Sequence, residues 1–203
     1  MSEDEHPANT EDSAWASFQT PLEPDALREF CLDVERLFRI NPYLEFNQWE
    51  HIGENRYRFS GRNSSQEPAL DFDYLLTANK TTDGLVVSYE NALKTSTNFK
   101  VEPGEKGAQL TITEDYSGST TEEREARINE VDKSLVSWAN DLQAYLLTWH
   151  RWSWLWPWRW YMRKIWQPLK PMGRRIVYMF IWISIVEVAL IALGVTIYWA
   201  EYT

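Results

Sequence analysis

The sequence has little of the chemistry on which most enzymes depend. It holds one cysteine, Cys31, and three histidines, none of which has a second histidine or cysteine at metal-ligand spacing. A single cysteine cannot form an internal disulfide and fits a reducing compartment, and isolated histidines give no support to zinc or haem ligation. Glycine-rich phosphate loops and a nucleophile elbow are also missing. We therefore expect no metal and no cofactor, and nothing in the sequence requires an enzyme.

Positive charge is scarce as well, with 20 Lys and Arg against 30 Asp and Glu. Seven of the cations but only two of the acids lie in residues 151–203, so the first 150 residues are strongly acidic. Phosphate binding needs a basic face, and the first 150 residues provide none. Their acidic charge therefore argues against a nucleic-acid partner. Asp71 and Asp73 alternate with apolar residues and are expected in solvent, and we interpret Glu114 and Asp115 as a solvated edge.

Long hydrophobic runs are absent except for one, which extends from Ile176 to Trp199. Its 24 residues make a helix of about 36 Å, enough to cross a hydrocarbon core of about 30 Å. Seven cations precede the run and none follows it, so the positive-inside rule places the N-terminal part in the cytoplasm. The acidic opening residues lack the apolar core of a signal peptide. We expect a single-pass, tail-anchored membrane protein, in a bacterial inner membrane.

Residues 1–12 predict a disordered acidic arm, followed by a weakly alternating first strand from about Ser13 to Leu22. Pro24 and Asp25 then open a helix, which ends at Asn41-Pro42 because a residue before proline avoids the helical region. Its apolar stripe predicts one buried face and consists of Leu27, Phe30, Cys31, Val34, Leu37 and Phe38.

Between Tyr43 and Ser117 the hydrophobic period changes to two, with turn signals such as Asp83-Gly84 between the runs. This pattern predicts about six short strands in an antiparallel meander with one buried face. Thr120 and Glu123 form a capping box that opens a long helix with an apolar stripe. We expect this helix to cover the sheet, with self-association as a coiled coil as the alternative. The stripe consists of Ile128, Val131, Leu135, Trp138, Leu142, Tyr145 and Trp149.

This order of elements, from strand and helix through the meander to one long helix, resembles the helix-grip fold. That is the α+β fold of the START, Bet v 1 and polyketide cyclase-like superfamily, and the resemblance covers residues 13–150. It implies a hydrophobic ligand held between the curved sheet and the long helix, and it leaves a cyclase-like activity open. The alternative is plain core packing. The ligand-facing candidates are Tyr57, Phe72, Tyr74, Val87, Tyr89, Ile112, Leu135, Trp138, Leu142 and Tyr145.

Residues 149–166, which we call the Trp-rich segment, hold seven of the twelve tryptophans of the chain. Indole rings with Arg and Lys favour the headgroup region of a bilayer, and Pro157 is expected to interrupt any helix there. We predict that residues 151–175 form an interfacial linker, with a protein-binding platform as the rival interpretation. The membrane-interface candidates are Trp152, Trp154, Trp156, Trp158, Arg159, Trp160, Arg163, Lys164 and Trp166.

The predicted membrane span, residues 176–199, carries Glu187 close to its middle. An ionised carboxylate there costs at least about 2.5 kcal/mol on insertion scales, so it is expected to be protonated or paired with another helix. Small and polar residues on one face are typical of helix packing in lipid. A single span that tolerates one neutral glutamic acid is the alternative. The candidate docking face consists of Ser184, Glu187, Ile191, Gly194 and Tyr198.

These expectations favour a membrane-tethered module that binds a hydrophobic ligand, such as a lipid, quinone or polyketide-like molecule, at the cytoplasmic bilayer surface. The alternative is an accessory or assembly subunit that docks other transmembrane subunits through its span. An aromatase- or cyclase-like enzyme is a third hypothesis. A cavity of several hundred Å³ would favour the first, whereas a core filled by side chains would favour the second.

Overall fold

A computed structural model describes residues 13–90, 92–118 and 133–202 of the chain. The predicted acidic arm and the first part of the predicted long helix, including Thr120, Glu123, Ile128 and Val131, lie outside the described residues. The strands are β1 Ser13–Thr20, β2 Leu44–Gly53, β3 Arg56–Asn63, β4 Leu70–Lys80, β5 Gly84–Glu90, β6 Ser96–Gly104 and β7 Gly107–Asp115. The helices are α1 Pro24–Cys31, α2 Val34–Ile40, α3 Leu135–Trp152, α4 Trp156–Tyr161 and α5 Pro171–Tyr202, with a π-helical turn at Met162–Trp166.

The helix expected between Pro24 and Asn41 is two helices, so the prediction of one continuous helix was wrong. The helix is interrupted at Leu32 and Asp33. The Asp33 carboxylate accepts a hydrogen bond from the backbone N–H of Arg36 at 3.2 Å. Asp33 is therefore the N-cap of α2, and an aspartate favours that position over a helix interior. The apolar stripe runs across the break, and both short helices bury it in one core.

The six strands predicted after the first helices are confirmed, and β1 adds a seventh to the same sheet. All strand pairs are antiparallel, in the order β1-β7-β6-β5-β4-β3-β2. Gly84 begins β5 after the Asp83-Gly84 turn with φ of +157°, where a Cβ atom would collide with the backbone carbonyl of Phe99. A register shift between Phe46 and Gln48 lets Trp49 face the core with Phe59, because a bulge changes which residues point inward.

Helix α3 lies across the buried face of this sheet, as the helix-grip arrangement requires. Its apolar stripe enters the core through Leu135, Trp138, Leu142, Tyr145 and Leu146. The indole N–H of Trp138 donates to the Leu37 carbonyl at 2.9 Å. These contacts confirm the predicted α+β helix-grip fold for the described part of residues 13–150.

Helix α5 extends beyond the domain for 32 residues. Its most apolar window has a mean hydropathy of 2.5, and none of that window is buried. A helix of this length measures about 48 Å, which exceeds the hydrocarbon thickness of about 30 Å. By length and composition, α5 is therefore a candidate membrane span.

Candidate ligand-binding sites

The expected ligand site between sheet and helix is a small interior cavity of about 50 Å³. Four of the predicted ligand-facing residues line it, namely Phe72, Tyr74, Tyr89 and Trp138. Sites for small molecules usually measure about 300–1,000 Å³, and a cavity of about 10–15 Å³ is already enough for one water. Among the described residues, this cavity has room for a few water molecules but not for a lipid.

Aromatic rings from separate elements fill the space in which a ligand was expected. The ring of Phe38 on α2 lies 5.2 Å from the ring of Trp138 on α3 and 6.5 Å from that of Phe99 on β6. Phe59 on β3 lies 5.7 Å from Phe38 and 5.1 Å from Trp49, centroid to centroid. Rings at these separations are in favourable aromatic contact, and Phe38, Phe59 and Trp138 leave only the small cavity between them.

The other predicted ligand-facing residues lie away from the cavity wall. Val87, Ile112 and Leu142 are fully buried in the core, and Leu135 is buried near the start of α3. Tyr57 is half-buried near the turn between β2 and β3, where it stacks on His51. Tyr145 is buried at the other end of α3, beside Arg36. The predicted set therefore does not converge on one site.

A buried ion pair lies beside the interior cavity, where the sequence interpretation expected a solvated edge. The Glu114 side chain is 0% exposed, so that expectation was wrong for Glu114. Its carboxylate pairs with the ammonium group of Lys94 and accepts a hydrogen bond from the Tyr116 hydroxyl at 3.0 Å. Glu114 follows Leu110 and Ile112 at every second position along β7, and all three are buried. This alternation in the sequence already indicated that Glu114 faces the core.

A larger hollow, which we call the junction groove, lies between α3, the Trp-rich segment and the first turns of α5. It has a volume of about 550 Å³, within the usual range for small-molecule sites. Apolar and aromatic side chains form most of its wall, with a few polar groups among them. The lining residues are Ile40, Asp141, Ala144, Tyr145, Thr148, Trp158, Tyr161, Met162, Trp166, Tyr178 and Ile181.

Specific contacts fix the parts of the junction groove relative to one another. The ring of Trp166 lies 5.4 Å from that of Tyr145, and Met162 is buried in the core. The guanidinium of Arg174 lies 4.1 Å above the Trp166 ring and donates to the carbonyl oxygens of Trp166 and Gln167 at 3.1 and 3.0 Å. The base of α5 is therefore bound to the Trp-rich segment.

The pKa values of three titratable groups in the groove are shifted in the direction that favours their neutral forms. Burial raises the pKa of the Asp141 carboxyl, although Arg174 and Arg175 oppose that shift. Burial also raises the pKa of the Tyr145 and Tyr161 hydroxyls. At neutral pH these tyrosines are protonated and can donate or accept hydrogen bonds inside an apolar wall.

The Trp-rich segment divides its side chains between the domain and solvent. Trp152, Trp154, Trp156 and Trp160 are exposed, whereas Trp158 and Trp166 pack against the core together with Trp149. Pro157 does not interrupt the helix α4, because it lies in the first helical turn, where its missing N–H has no intrahelical partner to lose. Arg159, Arg163 and Lys164 are exposed beside the outer tryptophans.

The predicted docking face lies on the exposed surface of α5. Ser184, Glu187, Ile191, Gly194 and Tyr198 are all exposed, and a Cβ atom on Gly194 would meet no atom within 4 Å. Ser184 also lines a shallow apolar hollow on the same helix. The described part of the domain does not cover this face.

Comparisons with known proteins give a likeness of fold. No protein-family model matches the sequence, and no curated protein matches it. The protein TTHA0849 from Thermus thermophilus is 12% identical over 67% of this chain and 97% of its own, with a TM-score of 0.49. A STAR-related lipid transfer protein fragment from Xanthomonas axonopodis is 14% identical over 66% and 85%, with a TM-score of 0.44. The lipid transfer and protein localization domain of human StarD13 is 16% identical over 66% and 76%, with a TM-score of 0.40.

Proposed function

We propose that this protein is a membrane-tethered module that binds one lipid or similar amphiphile at the cytoplasmic bilayer surface, in the junction groove. The observation that carries the proposal is the volume of that groove, about 550 Å³ against about 50 Å³ inside the grip. The ligand class is that expected from the sequence, but its place is different. Quinones and polyketide-like molecules belong to the same amphiphilic class.

The membrane tether is supported by the exposure of the apolar surface of α5. The core helix of a soluble domain is mostly buried, whereas the apolar window of α5 is 0% buried. In water, the exposed apolar surface of this helix would cost about 25 cal/mol of free energy for each Å². A bilayer removes that cost and is therefore the more favourable environment. The seven cations that lie between residue 151 and the apolar run favour a cytoplasmic domain.

The position of the groove fits a ligand that enters from the bilayer. Tyr178 and Ile181 line it, and Ile181 is five residues into the apolar run, which places it about 7.5 Å along the span. An alkyl chain could therefore leave the bilayer along α5 without crossing water. Because a lipid tail is already in an apolar medium, its transfer into the groove gains little hydrophobic free energy.

Selectivity must then come from the polar groups in the groove wall. Asp141, Thr148 and Tyr161 line the groove, and the Thr148 hydroxyl donates to the Ala144 carbonyl at 2.8 Å. A hydroxyl or carbonyl on the ligand would find hydrogen-bond partners there. Asp141 is exposed and Tyr161 is half-buried in the free protein, so a ligand that covers them without offering such groups would cost about 1–3 kcal/mol for each group it leaves unpaired.

Native mass spectrometry of the full-length protein, extracted from its own membranes in a mild detergent, tests the proposal. We expect an adduct of small-molecule mass on the wild-type chain and its loss from Ala144→Trp, since Ala144 lines the groove but is itself exposed. Leu147→Trp is the matched control, because Leu147 is 48% exposed on the same helix and does not line the groove. An adduct that survives in both variants contradicts the groove as its site.

A second candidate, the accessory subunit, is favoured by Glu187. This carboxyl group lies at the twelfth position of the 24-residue run, on a helix that the domain leaves exposed. A partner helix with a hydrogen-bond donor would remove the penalty for its burial in lipid. Glu187→Ala should then lose partners that co-purify with the wild type, whereas Glu201→Ala, beyond the span, should keep them. Identical partners in both variants would count against this function.

A further inference from the structure

A second cleft, which we call the Trp149 cleft, lies between the end of α3, helix α4 and the π-helical turn. Its volume is about 350 Å³. Three cations and three indole rings form its wall, and none of the described residues that line it is acidic. The lining residues are Trp149, Trp156, Arg159, Trp160, Arg163 and Lys164.

Trp149 is held in position from the domain side. Its ring stacks on Tyr145 with centroids 6.1 Å apart and lies 5.4 Å from Trp158. The guanidinium of Arg36 lies 4.0 Å from the Trp149 ring, and that of Arg163 lies 5.7 Å from it. Trp149 therefore provides a rigid wall, to which two guanidinium groups are attracted.

Arg36 adds a buried positive charge behind this wall. It is 5% exposed, and it donates hydrogen bonds to the Tyr145 hydroxyl at 2.9 and 2.8 Å. Within the described ranges, no carboxylate forms an ion pair with it. Asp33 and Glu29 line an adjoining hollow with Arg36, Trp149 and Arg163, so the acidic groups lie on the domain side. The open side of the cleft is cationic.

The cleft lies close to the start of the candidate span. Four residues separate the π-helical turn from α5, and Arg174 binds the base of α5 to Trp166. Trp156 and Trp160 are 68% and 51% exposed beside the cations. If α5 spans the bilayer, as proposed above, the cleft is at headgroup depth, where indoles and cations are favoured.

We propose that the Trp149 cleft binds the phosphate group of an anionic phospholipid. Arg159 and Arg163 supply planar guanidinium groups that match phosphate oxygens bidentately, and Lys164 adds a third charge. The indole rings cover the glycerol part of the headgroup. This site is separate from the junction groove, because the Tyr145 and Trp149 side chains lie between the two.

The test uses the full-length chain in nanodiscs of phosphatidylcholine that contain a minor fraction of phosphatidylglycerol. Native mass spectrometry after release from the disc counts the lipids of each kind that the protein retains. We expect the wild type to retain phosphatidylglycerol in preference. The double variant Arg159→Gln/Arg163→Gln should weaken that retention about tenfold or more, because it removes both guanidinium groups and their charge-assisted hydrogen bonds to the phosphate.

Arg151→Gln/Arg175→Gln is the matched control, because it removes two exposed cations from the same part of the chain, neither of which lines the cleft. Equal losses in the control and the double variant would mean general surface attraction and would overturn the site. Equal retention of both lipids by the wild type would overturn it as well. Titration with inorganic phosphate separates the two sources of phosphate: displacement of phosphatidylglycerol by free phosphate contradicts a lipid-specific site, and retention supports it.

The same samples separate this proposal from the proposed function. Ala144→Trp fills the junction groove and should leave the preference for phosphatidylglycerol unchanged. If the preference disappears with Ala144→Trp but not with the arginine variants, the anionic lipid binds in the groove and the Trp149 cleft is not its site. If the groove adduct is absent and the arginine effect remains, only the proposed function fails.

Discussion

Replacement of Trp138 by alanine tests whether the interior of the grip is filled by tightly packed rings. Trp138 is 1% exposed and contacts Phe38 and Phe99 at 5.2 and 5.5 Å between ring centroids. Truncation of a buried tryptophan to alanine costs about 3–5 kcal/mol. The Leu37 carbonyl would also lose the indole N–H that donates to it at 2.9 Å, so we expect the upper half of that range. Domains usually have about 5–15 kcal/mol of stability in total.

Cys31 provides the assay. It is the only cysteine of the chain, it is 0% exposed, and burial raises the pKa of its thiol to about 12. A thiol reagent near pH 8 should therefore modify it only when the domain opens, since the thiolate is the reactive form. Labelling of the full-length protein in detergent, as a function of urea, gives the free energy of unfolding.

Trp138→Phe is the control, because it keeps an aromatic ring and removes the N–H donor. We expect it to lose about 1–2 kcal/mol, mainly from the hydrogen bond. A loss below about 1 kcal/mol for Trp138→Ala would show that the interior is not close-packed, since the free-energy cost of a cavity in a close-packed core exceeds that value. The interior would then be loose enough to admit a ligand, and the junction groove would no longer be favoured over it as the binding site.

The remaining predictions concern charge and orientation. Glu114→Ala should destabilise the domain by about 3–5 kcal/mol because it removes a buried carboxylate from Lys94, and the double variant with Lys94→Met should lose less in the same urea assay. Burial raises the pKa of Asp141, so the native state loses stability as the pH rises from the ordinary aspartate range through that raised pKa. Asp141→Asn should therefore melt at a higher temperature than the wild type at pH 7. Near pH 3, where Asp141 is protonated, the two should melt at the same temperature. Thr203→Cys should react with a membrane-impermeant maleimide added to intact cells, while Cys31 stays unlabelled; no labelling of Thr203→Cys would contradict the cytoplasmic orientation.

Elements with a regular hydrophobic period could be predicted from the sequence. The meander followed from alternation between Tyr43 and Ser117, and the described part of the long helix buries the stripe through Trp138 and Leu142 as expected. The break between α1 and α2 was missed, because the apolar stripe continues through it and only the Asp33 cap marks it. Glu114 was missed because its charge was given more weight than its place in the β7 alternation.

The site was harder to predict, because cavity volume depends on how rings from distant parts of the chain meet. Phe38, Phe99 and Trp138 belong to three elements, and no periodicity shows that they fill the space between them. The junction groove likewise depends on residues from Ile40 to Ile181. Three of its lining residues were predicted for two different sites: Tyr145 as a ligand-facing residue, and Trp158 and Trp166 as membrane-interface residues.

Photocrosslinking in native membranes shows whether an amphiphile occupies the junction groove. A benzophenone amino acid at Thr148 would point into the groove, whereas the same group at Leu147 would lie on the exposed side of α3. We predict that irradiation attaches a lipid or similar small molecule at position 148 and not at position 147. Equal attachment at both positions, or attachment of protein alone at position 148, would mean that no amphiphile occupies the junction groove.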